Sequence, residues 1–252
     1  MDGQLDTWER HNFQPGGGDA SLFYVVFGPP PADWTISKSR YRCDGVPSGL
    51  DILRYGPNTH PEVLNSFRKG YLWEELVNSN KVLTDVISTQ SECLIFKGTI
   101  PDPTDLNYLR DTIGLIEWLL DCDCVAVFDA FAFNWRDSTD WHASAFEQNT
   151  ASPRNHVSIL QSEDCNGEWL HTRGMIKFGR PDISIRRVSK KMHDPVVYLL
   201  NRFIEFQAFG GIIEEGQDIR VASLPAGMIC HHQGDFEDPD FNNVHIEIRW
   251  PE

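Results

Sequence analysis

Leu106, Leu109, Ile113, Ile116 and Leu120 step along the chain by 3, 4, 3 and 4 residues. That is the spacing of an apolar stripe on one face of an α-helix. Thr104 or Asp105 stands where an N-cap belongs, with an oxygen able to accept from a first-turn amide. The helix predicted over TDLNYLRDTIGLIEWLLD is followed at once by CVAVFD, a short β-branched and aromatic run that reads as a strand. Near the other end, Val244, Ile246, Ile248 and Trp250 alternate with Asn243, His245, Glu247 and Arg249, one face for a core and one polar face. A chain that must bury a helical stripe and an alternating strand face needs helices layered on a sheet.

The remaining pattern fills in that architecture. SLFYVVFG (21–28), a segment around Leu50–Arg54 and CLIFKG (93–98) read as strands. PEVLNSFRKG and LWEELVNSNKVLTDVIS read as helices, and FNWRDSTDW as a turn and a short helix start. HVSILQS and EWLHTRGM are expected to form a hairpin joined through Glu163-Asp164-Cys165-Asn166-Gly167, where Asn-Gly is the turn signal. In HDPVVYLLNRFIEFQAFGG, Asp194 is the expected N-cap, Pro195 the first helical residue and Gly210-Gly211 the stop. Val196, Leu199, Leu200, Phe203 and Phe206 form its apolar stripe. Further strands are expected near Asp218–Val221, Gly227–His231 and Asn243–Trp250. The order β, α, α, β, α, β, β, β, α, β, β, β predicts an α/β or α+β fold, a largely antiparallel mixed sheet with helices packed on one side. Residues 1–20, ending in PGGGD, are expected to be a flexible lead-in to a single globular domain over 21–252, with a possible N-terminal subregion at 21–90.

Charge narrows the function classes. The chain carries 22 Lys and Arg against 37 Asp and Glu, a formal net charge of −15. A surface of that sign does not suit nucleic acid or an anionic membrane, and it favours a cationic partner through electrostatic steering. MDGQLDTWERHNF has no basic stretch followed by an apolar run, so no signal peptide is expected. No run approaches the ~18 apolar residues of a membrane span. The six cysteines include no C-x-x-C pair, so reduced thiols in a cytoplasm are expected. G-x-S-x-G, Walker A and G-x-G-x-x-G patterns are missing, and no cofactor is expected.

Two constellations remain. In WLHTRGMIKFGRPD, His171 and Arg173 share one strand face, opposite Leu170 and Thr172, and FGRPD reads as a glycine-dependent turn. An imidazole and a guanidinium there could hold a carboxylate or phosphate. Alternatively, the stretch is a polar strand face with Arg173 and Arg180 in ion pairs. The second is HHQGDFEDPDFNNVHIEIRWPE. His231, Asp240 and His245 are its weak candidates for a metal, although their spacing matches no fixed ligand motif and the acidic stretch also reads as an ordinary loop. Cys230 beside His231 and His232 reads as a small core residue, since neighbours on a strand face opposite ways.

The blocks LNYLRDTIGLIEWLLD, VAVFDAFAFNW, WLHTRGMIKFGRPDIS and DPDFNNVHIEIRWP resemble an uncharacterised family of bacterial hypothetical proteins, of the domain-of-unknown-function type. The resemblance spans roughly residues 90–252 and implies a bacterial origin and a single domain. It carries no catalytic residues over.

Two readings follow. The first is a non-enzymatic cytoplasmic protein that binds and neutralises a protein partner, such as an immunity protein facing a basic toxin domain. Its contact would run through Glu214, Glu215, Asp235, Glu237, Asp238 and Asp240. The second is a hydrolase or transferase for an anionic small molecule. His171, Arg173, His245, Glu247 and Arg249 would then meet from two polar strand faces, with His171 or Glu247 as base and the arginines as anion holders.

Overall fold

A computed structural model of the chain describes residues 5–251. The first four residues of the expected lead-in lie outside the described residues. The chain divides into two compact units. One comprises Leu22–Ile100, Asp105–Ser152 and the described part of the segment ending at Trp8. The other comprises Glu9–Ser21, Pro101–Thr104 and residues 153–251. The class is α+β, with two mostly antiparallel sheets, one of them mixed. The sheet expected from the alternating runs is thus a pair of sheets.

The first unit is built on β1 (Ala20–Phe27), β2 (Leu50–Tyr55), β3 (Cys93–Ile100), β4 (Ala126–Asp129) and β5 (Asn134–Asp137), in the order β2-β3-β1-β4-β5. Helices α1 (Lys38–Tyr41), α2 (Pro61–Ser66), α3 (Tyr71–Ser79), α4 (Lys81–Ser88), α5 (Asn107–Asp121) and α6 (Ser138–Trp141) complete it. Val25, Phe27, Cys93, Ile95, Ala126 and Phe128 recur at every second strand position. They bury against Leu64, Leu76, Leu83 and Ile87 from α2, α3 and α4.

Three details differ from the sequence expectation. LWEELVNSNKVLTDVIS is two helices, because the Asn80 side chain accepts from the Leu83 amide and starts α4 anew. Asn134–Asp137, read as a turn, is a strand registered on Ala126–Asp129, with the helix beginning only at Ser138. The α5 stripe is buried as expected, but the rest of the helix from Tyr108 to Leu120 is buried as well. That burial takes in Arg110 and Asp111, which pair with each other at 2.8 Å. Gly114 makes the crowding possible, since a Cβ there would lie 2.0 Å from the Tyr41 carbonyl oxygen.

The second unit carries β6 (Ser158–Asp164), β7 (Gly167–Arg173), β8 (Asp182–Val188), β9 (Asp218–Ile219), β10 (Met228–Gln233) and β11 (His245–Arg249), in the order β6-β7-β8-β11-β10-β9. The expected β6–β7 hairpin forms, but its loop is Cys165-Asn166, one residue before the Asn-Gly signal, with Gly167 already paired to Asp164. DISIRRV, for which the sequence pattern predicts no element, is the central strand β8. It runs antiparallel to β7 and parallel to β11, which makes the sheet mixed. Helix α7 (His193–Ala208) lays Val196, Leu199 and Leu200 against Leu170, Ile183, Ile185, Ile246 and Ile248 on one sheet face. It begins one residue before the expected cap, which puts Asp194 inside the first turn, where its charge still suits the helix dipole.

Two buried arginines hold the C-terminus of α7 and the chain that leaves it. Arg10, from the expected lead-in, donates to the carbonyls of Ala208 (3.0 Å), Phe178 (2.9 Å) and Pro103 (2.7 Å). Arg180 donates to those of Gly210 (2.9 Å), Gly211 (3.1 Å), Gln14 (3.2 Å) and Gly179 (2.8 Å). Cations at a helix C-terminus satisfy its orphan carbonyls and oppose its dipole. Arg180 therefore works chiefly through backbone oxygens. The expected ion pair is a long 3.8 Å contact with Asp102.

Candidate functional site

The face of the second sheet opposite the α7 contact is polar, and the strand registers say which side chains share it. Leu160 pairs with His171, His171 with Ser184, Ser184 with Glu247 and Glu247 with His231. Paired residues lie on the same face, so these five form one row across five strands. The candidate enzyme residues His171 and Glu247 are therefore brought to one face, separated by Ser184. His245 lies one row along, opposite Asp182 and Gln233. Arg249 chelates the Glu247 Oε2 at 2.9 and 2.8 Å. Arg173 donates to the Asp240 carbonyl.

Aromatic rings occupy the space above this face. Trp169 and His171 stack with centroids 4.1 Å apart, and Phe241 stacks on His245 at 4.1 Å. Phe241 meets the edges of His171 at 5.4 Å and Trp169 at 6.0 Å. The Arg186 guanidinium lies 4.0 Å from the Trp169 ring centroid. Burial holds the His171 imidazole down, to about 4, helped by the neighbouring Arg173, Arg186 and His245. His245 is also lowered by burial, against the pull of Asp238 and Glu247. Ser184 is only 2 % exposed, and its oxygen accepts from the Trp169 indole N–H at 2.8 Å.

Behind the row sits Asp182, fully buried. Its carboxylate accepts from Thr172 Oγ1 (2.8 Å), the Met175 amide (3.2 Å) and Asn243 Nδ2 (2.9 Å). Burial raises it to about 6 despite those donors. Asp182, Ser184, Trp169 and Phe241 were absent from the sequence candidates. The signal that would have found the first two was the alternation of Asp182, Ser184 and Arg186 with Ile183 and Ile185 in DISIRRV.

The acidic candidates gather at the end of β10. Glu215 accepts from the His232 amide at 2.6 Å and contacts His231 Nδ1 at 2.9 Å, which lowers its carboxyl. Two residues along the strand, Gln233 pairs with His245, whose Nδ1 lies 3.6 Å from Asp238 Oδ2. Glu214–Glu215 and the 235–240 loop therefore flank the same three strand residues. Glu214, Glu215, Asp235, Glu237 and Asp240 are exposed and Asp238 is half-buried. Phe236, between Asp235 and Glu237 in that loop, is 66 % exposed. No exposed aromatic was among the candidates read from the sequence.

The weak metal candidates are held by other partners: His231 by Glu215, His245 by Phe241 and Asp238, and Asp240 through its amide by Asp238 at 2.9 Å. Among the described residues, no group of three or more His, Cys, Asp or Glu side chains could hold a metal ion. No helix among them is long and apolar enough to cross a membrane.

Compared with protein-family models, curated proteins and solved structures, the chain matches none. Its function has to be read from its own residues.

Proposed function

We propose that the chain is a cytoplasmic, non-enzymatic binding protein whose acidic rim captures a basic protein partner, as an immunity protein captures a toxin domain. The observation that carries this reading is the gathering of two acidic segments at the end of β10, the second of which carries the exposed ring of Phe236. Between residues 214 and 240 there are seven carboxylates and one arginine. Carboxylates in that density steer a cationic surface and raise the association rate. A desolvated aromatic supplies the anchor that rim charges lack. A net charge of −15 adds to the steering and opposes direct contact with nucleic acid or anionic membrane.

The row His171–Ser184–Glu247 favours a second reading, an enzyme for an anionic small molecule. Two features weigh against it. An imidazole held near 4 is a weak general base at neutral pH, and Ser184 is buried under the Trp169 indole.

The test is affinity capture of the tagged chain from lysate of its own cells, with salt titration and rim variants. One stoichiometric basic protein should elute as salt rises and be lost from Phe236→Ala and from the double variant Glu215→Lys/Glu237→Lys. Retention by all variants at every salt concentration would refute the rim.

A further inference from the structure

The loop that carries the acidic rim is fastened to the sheet at a small number of points, and an imidazole lies under the main one. Phe241 is 4 % exposed, with its ring lodged among Trp169, His171 and His245. The Asp240 carbonyl receives the Arg173 guanidinium. At the other end, Gly234 (φ +70) packs so closely that a Cβ would lie 2.8 Å from Asp238 Oδ2 and 2.9 Å from His245 Nδ1. His171 is 7 % exposed, and its Nδ1 has no hydrogen-bond partner among the described residues.

We propose that His171 is a proton-controlled clasp, whose protonation expels Phe241 from the aromatic stack and frees loop 234–242 from the sheet. The idea rests on the binding reading only for its consequence, that acidification disorders the docking rim. The loop movement itself stands on the packing.

The charges around the ring set the direction. His171 faces Arg173 on its own strand, Arg186 from β8 and His245 from β11. Glu247 lies one strand beyond Ser184, with its carboxylate already taken by Arg249. A proton on His171 therefore creates a buried cation beside two guanidinium groups, and lifting Phe241 lets water reach it. His245 behaves differently. Asp238 and Asp240 from the loop and Glu247 from its own strand favour its charged form, while Arg186 opposes it. Protonated His245 would hold Asp238 and tighten the loop, so the release belongs to His171. A closed-state value of about 4 against ~6.5 in water makes opening up to ~300-fold more favourable in acid. The gain is about thirtyfold by pH 5 relative to pH 7.5.

Hydrogen exchange on the full chain, without any partner, reads this directly. The Phe241 and Asn242 amides both donate to the Asp238 carbonyl, at 3.2 and 2.7 Å, and report the turn that seats the Phe241 ring. After normalisation to intrinsic exchange rates, their opening constant should rise about thirtyfold from pH 7.5 to 5 in the wild type and stay flat in His171→Phe. In Phe241→Ala, the NMR titration of the His171 ring should move up toward ~6.5, a readout that does not depend on the first variant folding. A wild-type rise under threefold, the same rise in His171→Phe, or an unmoved His171 titration in Phe241→Ala would each overturn the clasp. If the loop opens as expected but the rim variants still hold their partner, the docking reading fails and the clasp stands.

Discussion

Asp182 places a carboxyl group where water cannot reach it, and its effect on stability has a sign that can be measured. Its carboxyl is raised from 3.8 in the unfolded chain to about 6 in the folded one. Between those values the folded state holds the extra proton, so folding is favoured in acid and loses stability as the pH climbs through 6. The difference of about 2 units corresponds to ~3 kcal/mol at 1.36 kcal/mol per unit. Asp182→Asn removes the titration and keeps the shape. It also sets an amide against the Asn243 Nδ2 donor, a cost that is the same at every pH. The informative quantity is the stability of the variant minus that of the wild type. Measured by urea unfolding at pH 4, 5, 6, 7 and 8, it should move in favour of the variant by ~2 kcal/mol, mostly between pH 4 and 6.5, the rest of the linkage lying below pH 4. A flat difference would mean the carboxyl titrates normally. A move the other way would mean that Arg173 dominates as an ion-pair partner, and the account of the buried site would be wrong.

Two further outcomes follow from the same bookkeeping of buried polar groups. Arg180→Met, which keeps the apolar stem but removes the donors to four carbonyls, should destabilise the chain by about 3–5 kcal/mol in the same assay; a loss under 1 kcal/mol would refute the anchoring role of Arg180. In the first unit, His142 Nδ1 lies 2.6 Å from the buried Glu117, a bond that raises the imidazole, while burial outweighs that same bond and raises Glu117. Glu117→Gln should lower the His142 titration toward ~6.5 by NMR, and an unchanged value would show that the pair does not form in solution.

Much of this architecture was legible because apolar spacing survives in the sequence whatever the tertiary context. The α5 stripe, the β6–β7 hairpin and the alternation of β11 could be read from period and turn chemistry alone. The missed elements share a physical reason. Asn134–Asp137 is short and polar, and it is a strand only because β4 offers it an edge. DISIRRV follows a Gly-Arg-Pro turn, whose loop signal masks the short alternation beyond it.

The candidate site was half legible. His171, Glu247, His245 and the acidic residues could be listed, but which of them meet depends on strand order. Parallel pairing of β8 with β11 brings segments some sixty residues apart into one row, and no local pattern records it. The role of Arg180 was likewise hidden, because its partners are backbone carbonyls, which every residue supplies.

The most direct test of the central claim replaces Phe236 with a photo-crosslinking phenylalanine in the living cell, with Leu53 on β2 of the first unit, also exposed, as a second position. The account predicts that position 236 yields one crosslinked basic protein, lost when Glu215 and Glu237 are reversed to lysine, and that position 53 does not yield it. The same product from both positions, or an undiminished product from 236 after charge reversal, would contradict it.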